Sequence, residues 1–469
     1  MRKMILSLFL SEIFLSGCTM IPQYRQPEFM AAKSWNSMTD YKMPEKEQSA
    51  SHLTWQEFFS NPELQKIITI ALENNRDLRL AVLNIDEARA LYRIERSALL
   101  PSINANGSAN YRKIPDQASP NNQGESSELY AANLGINNYE LDLFGRIRSQ
   151  SEAIKNEYKA LQEEKTVIQN ALIAETMNVF LQLLADRKLL DLTRKTLEAQ
   201  QHTHDILTQS LENGIGTAQD VALAETAVET ARVNFHQYRR FVEQDTNTLM
   251  VLMGVAYDET LIPEITLDDI DLPENIAAGL PSEVLLNRPD IRQAEYNLLA
   301  RNADIGAARA SFFPNITLTG ASGFASEGLS NLLTGGAWGA WSFIPEITLP
   351  VFQGGRNKAG LDVAEIRKEK AIVNYEQAIE IAFREVSDEL AARATLTEQL
   401  KAQEHLVIAA QKVYDISSAR YKSGIDSFLE VLDAQRNLYI FQQNEIRTER
   451  QRLSNLVTLY KVLGGGSAK

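Results

Sequence analysis

The second half of this chain repeats the first at a nearly fixed offset, and that restricts its fold more than any other feature. Leu211–Val221 (LENGIGTAQDV) lies over Tyr421–Val431 (YKSGIDSFLEV) at a shift of 210. The same shift carries Glu175 onto Glu385 and Gly254 onto Gly464. Upstream, a shift of 213 carries Asp77, Arg79, Ala81, Pro101, Ile103 and Gly107 onto Asp290, Arg292, Ala294, Pro314, Ile316 and Gly320. A period of about 200 residues is far too long for a solenoid unit. It reads as duplication of a whole module and predicts internal pseudo-symmetry.

A chain of 469 residues would otherwise suggest about three ordinary domains. The repeat argues instead for two copies of one elongated module. The net charge of −14 argues against nucleic acid as a partner. No apolar run approaches the roughly 20 residues of a membrane-spanning helix, so any crossing of a bilayer would use strands. At the N-terminus, Arg2 and Lys3 precede an apolar stretch, Met4–Leu15, that ends in Leu15-Ser-Gly-Cys18. That is the pattern of an export signal over residues 1–17, not of an anchor helix. LSGC resembles the bacterial lipobox, which would make Cys18 a lipidated first residue. Thr19 follows it, rather than the aspartate that retains such lipoproteins in the inner membrane, which points to the outer membrane. Cys18 is the only cysteine, so no internal disulfide can form.

Residues 18–61 are polar and irregular, with Pro22, Pro27 and Pro44, and read as an extended tether. The first repeat covers 62–255. Helical patterning runs from Pro62 to about Leu100 and stops at Pro101. The period then becomes two: Ile103, Ala105, Gly107, Ala109 and Tyr111 alternate with polar residues, which predicts a strand over about 102–112. A second, less regular strand is expected at about 129–143, and Gly145 opens a long helical region to about Leu211. After a linker (256–281), the second repeat (282–466) does the same. Its strands are expected at about 315–326 and 338–352, although Pro345 and Pro350 count against the last one. Gly354-Gly-Arg356 returns the chain to helix as far as about Tyr421.

The helices carry a further signal. Val221, Ala224, Val228, Ala231, Phe235, Tyr238, Val242, Asp245, Leu249 and Leu252 follow one another at spacings of three and four. More than four heptads of this kind predict supercoiling against a partner helix. A helix from Gly145 to Leu211 would span roughly 100 Å, too long for a compact bundle. Four strands of about 10 residues can each cross a bilayer, but four cannot close a barrel, and open edges are not tolerated in lipid. If the strands span a membrane, several chains must share one barrel.

Several motifs make this specific: the lipobox, Tyr139–Arg146 (YELDLFGR), Leu286–Arg292 (LNRPDIR), Leu349–Arg356 (LPVFQGGR), Ala419–Asp426 (ARYKSGID) and Leu432–Arg436 (LDAQR). Together they resemble the outer membrane efflux protein family, over residues 18 to 466. The OprM-like lipoprotein branch is the nearer likeness and TolC a more distant one. The resemblance implies a homotrimer of α+β membrane protein chains, with a 12-stranded β-barrel in the outer membrane continued by a 12-helix coiled-coil α-barrel across the periplasm. It implies three kinds of partner: a periplasmic adaptor, an inner-membrane transporter of the RND type, and outer-membrane lipid. No cofactor is expected beyond the lipid on Cys18. The function implied is a passive exit duct for drugs or other small toxic solutes.

Two Gly-containing turns, Gly214-Ile-Gly216 and Gly424-Ile-Asp426, join long helices at the end away from the strands, as glycine allows. By the resemblance they are adaptor-contact tips. Beyond the second turn, Glu430 and Asp433 share a helix face with Leu429 and Arg436. Taken alone this is a solvated face; by the resemblance Leu429, Glu430, Asp433 and Arg436 form a periplasmic gate. Two carboxylates of such a ring ~6 Å apart would repel by roughly 3 kcal/mol at an effective dielectric of about 20. A closed ring therefore needs cations, retained protons or other bonds to hold it. Asp220 and Tyr421 align with a hydrogen-bonded pair in TolC and are expected to lock the gate. No catalytic motif is present, and the five histidines lack metal-ligand spacing. Two rival readings are a protein-secretion duct of the type I kind and a lipid-anchored coiled-coil scaffold with no pore.

Overall fold

The computed structural model describes residues 19–27, 53–115, 125–274, 287–334 and 338–465. Cys18 and the signal segment lie outside them, as does most of the expected tether. The elements run α1 (Trp55–Phe58), α2 (Pro62–Asn74), α3 (Arg76–Ser97), β1 (Ile103–Ile114), β2 (Glu125–Glu140), α4 (Arg146–Glu212) and α5 (Ala218–Met253). The second repeat follows with α6 (Pro289–Ala310), β3 (Asn315–Ser326), α7 (Leu329–Thr334), β4 (Trp338–Thr348), α8 (Arg356–Lys422) and α9 (Phe428–Val462). The duplication is visible in element length. Helices α4 and α8 have 67 residues each, and α5 and α9 have 36 and 35.

The residues fall into two compact units. One is built from described residues within Met1–Glu28, Asn84–Gln162 and Gln293–Glu376; the other from those within Phe29–Leu83, Glu163–Arg292 and Gln377–Lys469.

The first unit holds one antiparallel sheet in the order β1-β2-β3-β4, so β1 and β4 are its edges. Pairing sets Ile103 opposite Ile136, Gly135 opposite Ala321, and Ile316 opposite Ile347. The apolar face is continuous across all four strands: Ile103 and Ala105 on β1, Ile136 and Leu134 on β2, Ile316 and Leu318 on β3, Ile347 and Phe343 on β4. The irregularity expected in β2 is a bulge between Ile136 and Tyr139. Asn138 sits there at φ 51°, a conformation that asparagine tolerates better than most residues. Its side chain and backbone both bond Thr319 Oγ1. Four strand ends differ from expectation by two residues or more: β1 continues to Ile114, and β2 starts at Glu125. β2 stops at Glu140 and β4 at Thr348, because Asp142 and Pro350 begin the turns into the long helices. Pro345 is inside β4, which is an edge strand within the single chain.

In the same unit, residues 19–27 do not hang free. Asn302 Nδ2 donates to the Pro22 carbonyl (2.8 Å), and Tyr24 Oη donates to Glu295 (3.0 Å). Gly306 is needed beneath them, since a Cβ there would come within 2.6 Å of the Ile21 side chain.

The second unit is a helical core. Phe180, Leu181, Leu183 and Leu184 of α4 pack with Leu249 and Met253 of α5 and with Leu456, Val457 and Leu459 of α9. One 18-residue window of α4 is long and apolar enough to pass for a membrane span, contrary to the expectation from sequence, but more than half of it is buried in this core. The last part of the expected tether is core as well. Thr54 and Glu57 form a reciprocal cap on α1, and the buried Phe58 ring stacks on Tyr460 with centroids 4.3 Å apart. The linker also contributes, through Ile262, Leu267, Ile270 and Leu272.

The two repeats close their last helices in parallel ways. Asn75 Nδ2 donates to the Leu252 carbonyl (3.0 Å), and Arg288, 213 residues on, donates to the Val462 carbonyl (2.8 Å). Arg288 is nearly buried and is neutralised by Asp290 and Glu385, both at 2.7 Å. The Asn-Arg-Pro-Asp motif therefore fastens the second repeat. Each closing helix ends on a left-handed glycine, Gly254 (φ 65°) or Gly464 (φ 78°). A Cβ on Gly254 would lie 2.3 Å from the Asn74 carbonyl oxygen.

Candidate functional site

Both helix-to-helix turns use the same device. Gly214 (φ 75°) ends α4, with Ile215 N donating to the Ser210 carbonyl (2.9 Å). Gly424 (φ 71°) ends α8, with Ile425 N donating to the Arg420 carbonyl (3.0 Å). This is the six-to-one closure of a Schellman turn. It leaves an isoleucine bare at each tip, Ile215 at 84% exposure and Ile425 at 63%. The glycines supply the shape, and the isoleucines supply the surface. Beneath them Leu207, Ala224, Phe428 and Val431 form a small buried cluster.

The turns differ in what pins them. In the first, Thr217 caps α5: its Oγ1 accepts from Asp220 N (3.1 Å) and donates to the Asp220 carboxylate (2.7 Å). Gly216 is close under Ser210 and Leu211, where a Cβ would meet the Leu211 nitrogen at 2.9 Å. In the second, Asp426 replaces that glycine and takes a two-pronged ion pair from Arg420, at 2.5 and 2.8 Å. The guanidinium holds the Asp426 carboxyl below its ordinary pKa.

The expected lock between Asp220 and Tyr421 is not a hydrogen bond in this structure. Thr217 has captured the Asp220 carboxylate, and the Tyr421 ring lies 5.6 Å from that of Phe428. The two groups remain close enough to feel each other. Burial, and then the Asp220 charge, push the Tyr421 hydroxyl above its ordinary pKa.

Leu429, Glu430, Asp433 and Arg436 all lie on the exposed side of α9, with Phe428, Val431, Ala434 and Leu438 buried on the other. Leu429 is 52% exposed on this side. The Asp433 carboxylate is paired with Arg436 one turn on and accepts from Asn437 Nδ2 (3.2 Å). The Glu430 carboxylate has no bonding partner among the described residues.

The outer membrane efflux protein family matches residues 67–255 and 280–465, the two repeats in turn. The chain belongs to this family. It is 44% identical over 467 residues to the toluene efflux pump outer membrane protein TtgC of Pseudomonas putida, covering 99% of this chain and 96% of that one. It is 39% identical over 460 residues to the outer membrane protein OprJ of Pseudomonas aeruginosa, covering 98% and 95%. Among solved structures, the open state of the Neisseria gonorrhoeae MtrE outer membrane channel matches with a TM-score of 0.86 and 38% identity, over 96% of this chain and 98% of that one. The protein is thus an outer-membrane channel component of an efflux pump, and the pore-less scaffold reading falls.

Two features of this efflux-family chain were not apparent beforehand. A groove of about 290 Å³ runs among α4, α5 and α9, lined by Gln200, Thr226, Thr230, Leu429, Asp433 and Arg436 among others. The buried Gln200 Oε1 has no bonding partner among the described residues. Further along, Asp245 of the α5 heptad stripe faces Asp186 of α4. Burial and the Asp186 carboxylate raise the Asp245 pKa to about 7, against a weaker opposing pull from Arg450. The only signal in the sequence was a single acidic residue in an otherwise apolar stripe.

Proposed function

We propose that three copies of this chain form the exit duct of a tripartite pump, which passes small toxic solutes from an inner-membrane transporter, through a periplasmic adaptor, to the outside. One observation carries the reading: a four-stranded sheet with a continuous apolar face and two open edges. Such a sheet suits lipid only when closed, and three copies supply 12 strands. The relatives are named for toluene and antibiotic efflux, which favours organic solutes over proteins as cargo. Energy then comes from the inner-membrane partner, for which an RND-type transporter is the proposed class. Cys18 would carry the lipid anchor.

The periplasmic opening is assigned to the α9 face. Around a three-fold axis, Leu429, Glu430 and Asp433 would form stacked apolar and acidic rings, with Arg436 relieving part of the repulsion. Ile215 and Ile425, held by Gly214, Gly216 and Gly424, would meet the adaptor. Asp220 and Tyr421 would tie the second tip only after Asp220 leaves Thr217. Single-channel conductance in planar bilayers tests the gate. The Leu429→Ala, Asp433→Ala double variant is expected to conduct several-fold more than wild type. An unchanged conductance would remove these residues from the gate.

A further inference from the structure

We infer that the open edge β4 pairs with β1 of the next copy in one definite register, Thr348 opposite Asn104 and Ile347 opposite Ala105. The inference rests on the multichain reading above and gives it a contact map. Three separate observations lead to it.

The first is the internal seam between the repeats. There the turn after β2 meets the start of β3: Leu141 N donates to the Ile316 carbonyl (2.8 Å), and Phe144 stacks on Phe313 with centroids 4.8 Å apart. Leu141 and Phe144 correspond to Leu349 and Phe352, and Phe313 and Ile316 to Leu100 and Ile103. The counterparts should therefore meet in the same way across a seam between copies, Phe352 over Leu100 and Leu349 N on the Ile103 carbonyl. In the single chain these groups are bare: Phe352 is 86% exposed, and Leu100 and Ile103 are both 72% exposed.

The second is strand length. With Leu349 at Ile103, the 11 residues of β4 (Trp338–Thr348) fall opposite Ile114–Asn104, so every one has a partner inside the 12-residue β1. A shift in either direction by more than a residue leaves ladder groups unpaired at the membrane edge, which lipid penalises.

The third is the apolar face. It occupies odd positions on β1 (Ile103, Ala105, Ala109, Tyr111) and odd positions on β4 (Trp341, Phe343, Ile347). Pairing Ile347 with Ala105 joins odd to odd. A slip of one residue would turn one strand over and set its apolar side against the other's polar side.

Paired cysteines read the register directly, since residues opposite each other in an antiparallel pair have Cα atoms about 4.5–5.5 Å apart, within reach of a disulfide. The proposed register sets Ser342 opposite Asn110, both exposed. Full-length Ser342→Cys, Asn110→Cys protein, oxidised in outer membranes with copper phenanthroline, is expected to run as a covalent three-chain band on a non-reducing gel. Ser342→Cys with Ala109→Cys, Ser108→Cys or Arg112→Cys is expected to stay mostly single-chain. Preferential linking of any of these three pairs would overturn the register. A lysine-reactive cross-linker on the same membranes separates the two levels of the argument. Trimers without any of the disulfides would overturn the seam and leave the duct standing. Absence of trimers under both treatments would overturn the duct itself. A fourth arm uses Phe352→Ala, expected to make the three-chain species dissociate at lower detergent concentration or temperature; unchanged dissociation would remove Phe352 from the seam.

Discussion

At the scale of single residues, the most consequential side chain is one that breaks a pattern. Asp245 occupies a heptad position that every neighbour in the stripe fills with an apolar group. It is half-buried against Asp186, whose own carboxylate accepts from Gln182 Nε2 (2.7 Å). With its folded pKa raised to about 7, Asp245 holds a proton in the folded chain that it releases in the unfolded one between about pH 4 and pH 7. Its contribution to stability is therefore full below about pH 4 and is lost as pH rises through 7. Asp245→Asn should remove that loss. The variant is expected to match wild type in thermal unfolding at pH 4 and to exceed it at pH 8. The gain should be about 1–2 kcal/mol, discounted for the partial exposure of the group. Equal unfolding temperatures at pH 8 would contradict this.

At the scale of elements, the two tips are alike in backbone and unlike in what fastens them. The first is held by the Thr217 cap, and the second by the Arg420–Asp426 ion pair across the turn. Arg420→Ala should loosen the second alone. Hydrogen exchange is expected to speed up at Ser423–Ser427 and to stay unchanged at Asn213–Thr217; a change in both would mean the pair acts on more than its own turn. Much of this was legible in the sequence. Strand β3 and both 67-residue helices lie where period and glycine signals put them. The heptad residues are all buried or half-buried, including Phe235 and Val242. What was not legible has physical causes. Trp55–Phe58 is too short to show a helical period, so the Thr54 cap and the Phe58–Tyr460 stack were hidden in an apparently polar tether. The break at Asn75 between α2 and α3 was read as continuous helix, because the apolar period runs on past it; Asn75 Oδ1 in fact caps α3, accepting from Asp77 N (3.0 Å) and Leu78 N (3.1 Å), while its Nδ2 reaches the Leu252 carbonyl. The Thr217–Asp220 bond was missed because the local cap competes with a longer tie that only the family likeness suggested.

At the scale of the molecule, 61 acidic residues against 47 basic ones give each copy a charge of −14, and three copies would share one lumen. The field of such an assembly favours cations along the path. In a salt gradient the reversal potential is expected to show cation preference, strongest at low ionic strength and weakened where the Debye length falls to about 3 Å, near 1 M salt. Anion preference at low salt would exclude this account of the duct.

The equal lengths of α4 and α8 carry an evolutionary implication. These two helices of 67 residues, each about 100 Å long, lead to tips that share one small buried cluster of Leu207, Ala224, Phe428 and Val431. Neither can gain or lose a turn alone without leaving its tip, Ile215 or Ile425, out of step with the other. Length changes in this lineage should therefore come in matched pairs, one in each repeat, and in whole heptads so that the buried stripes stay in phase. A naturally shortened relative would carry two deletions about 210 residues apart. The duplication that built the chain continues to govern how it can be edited.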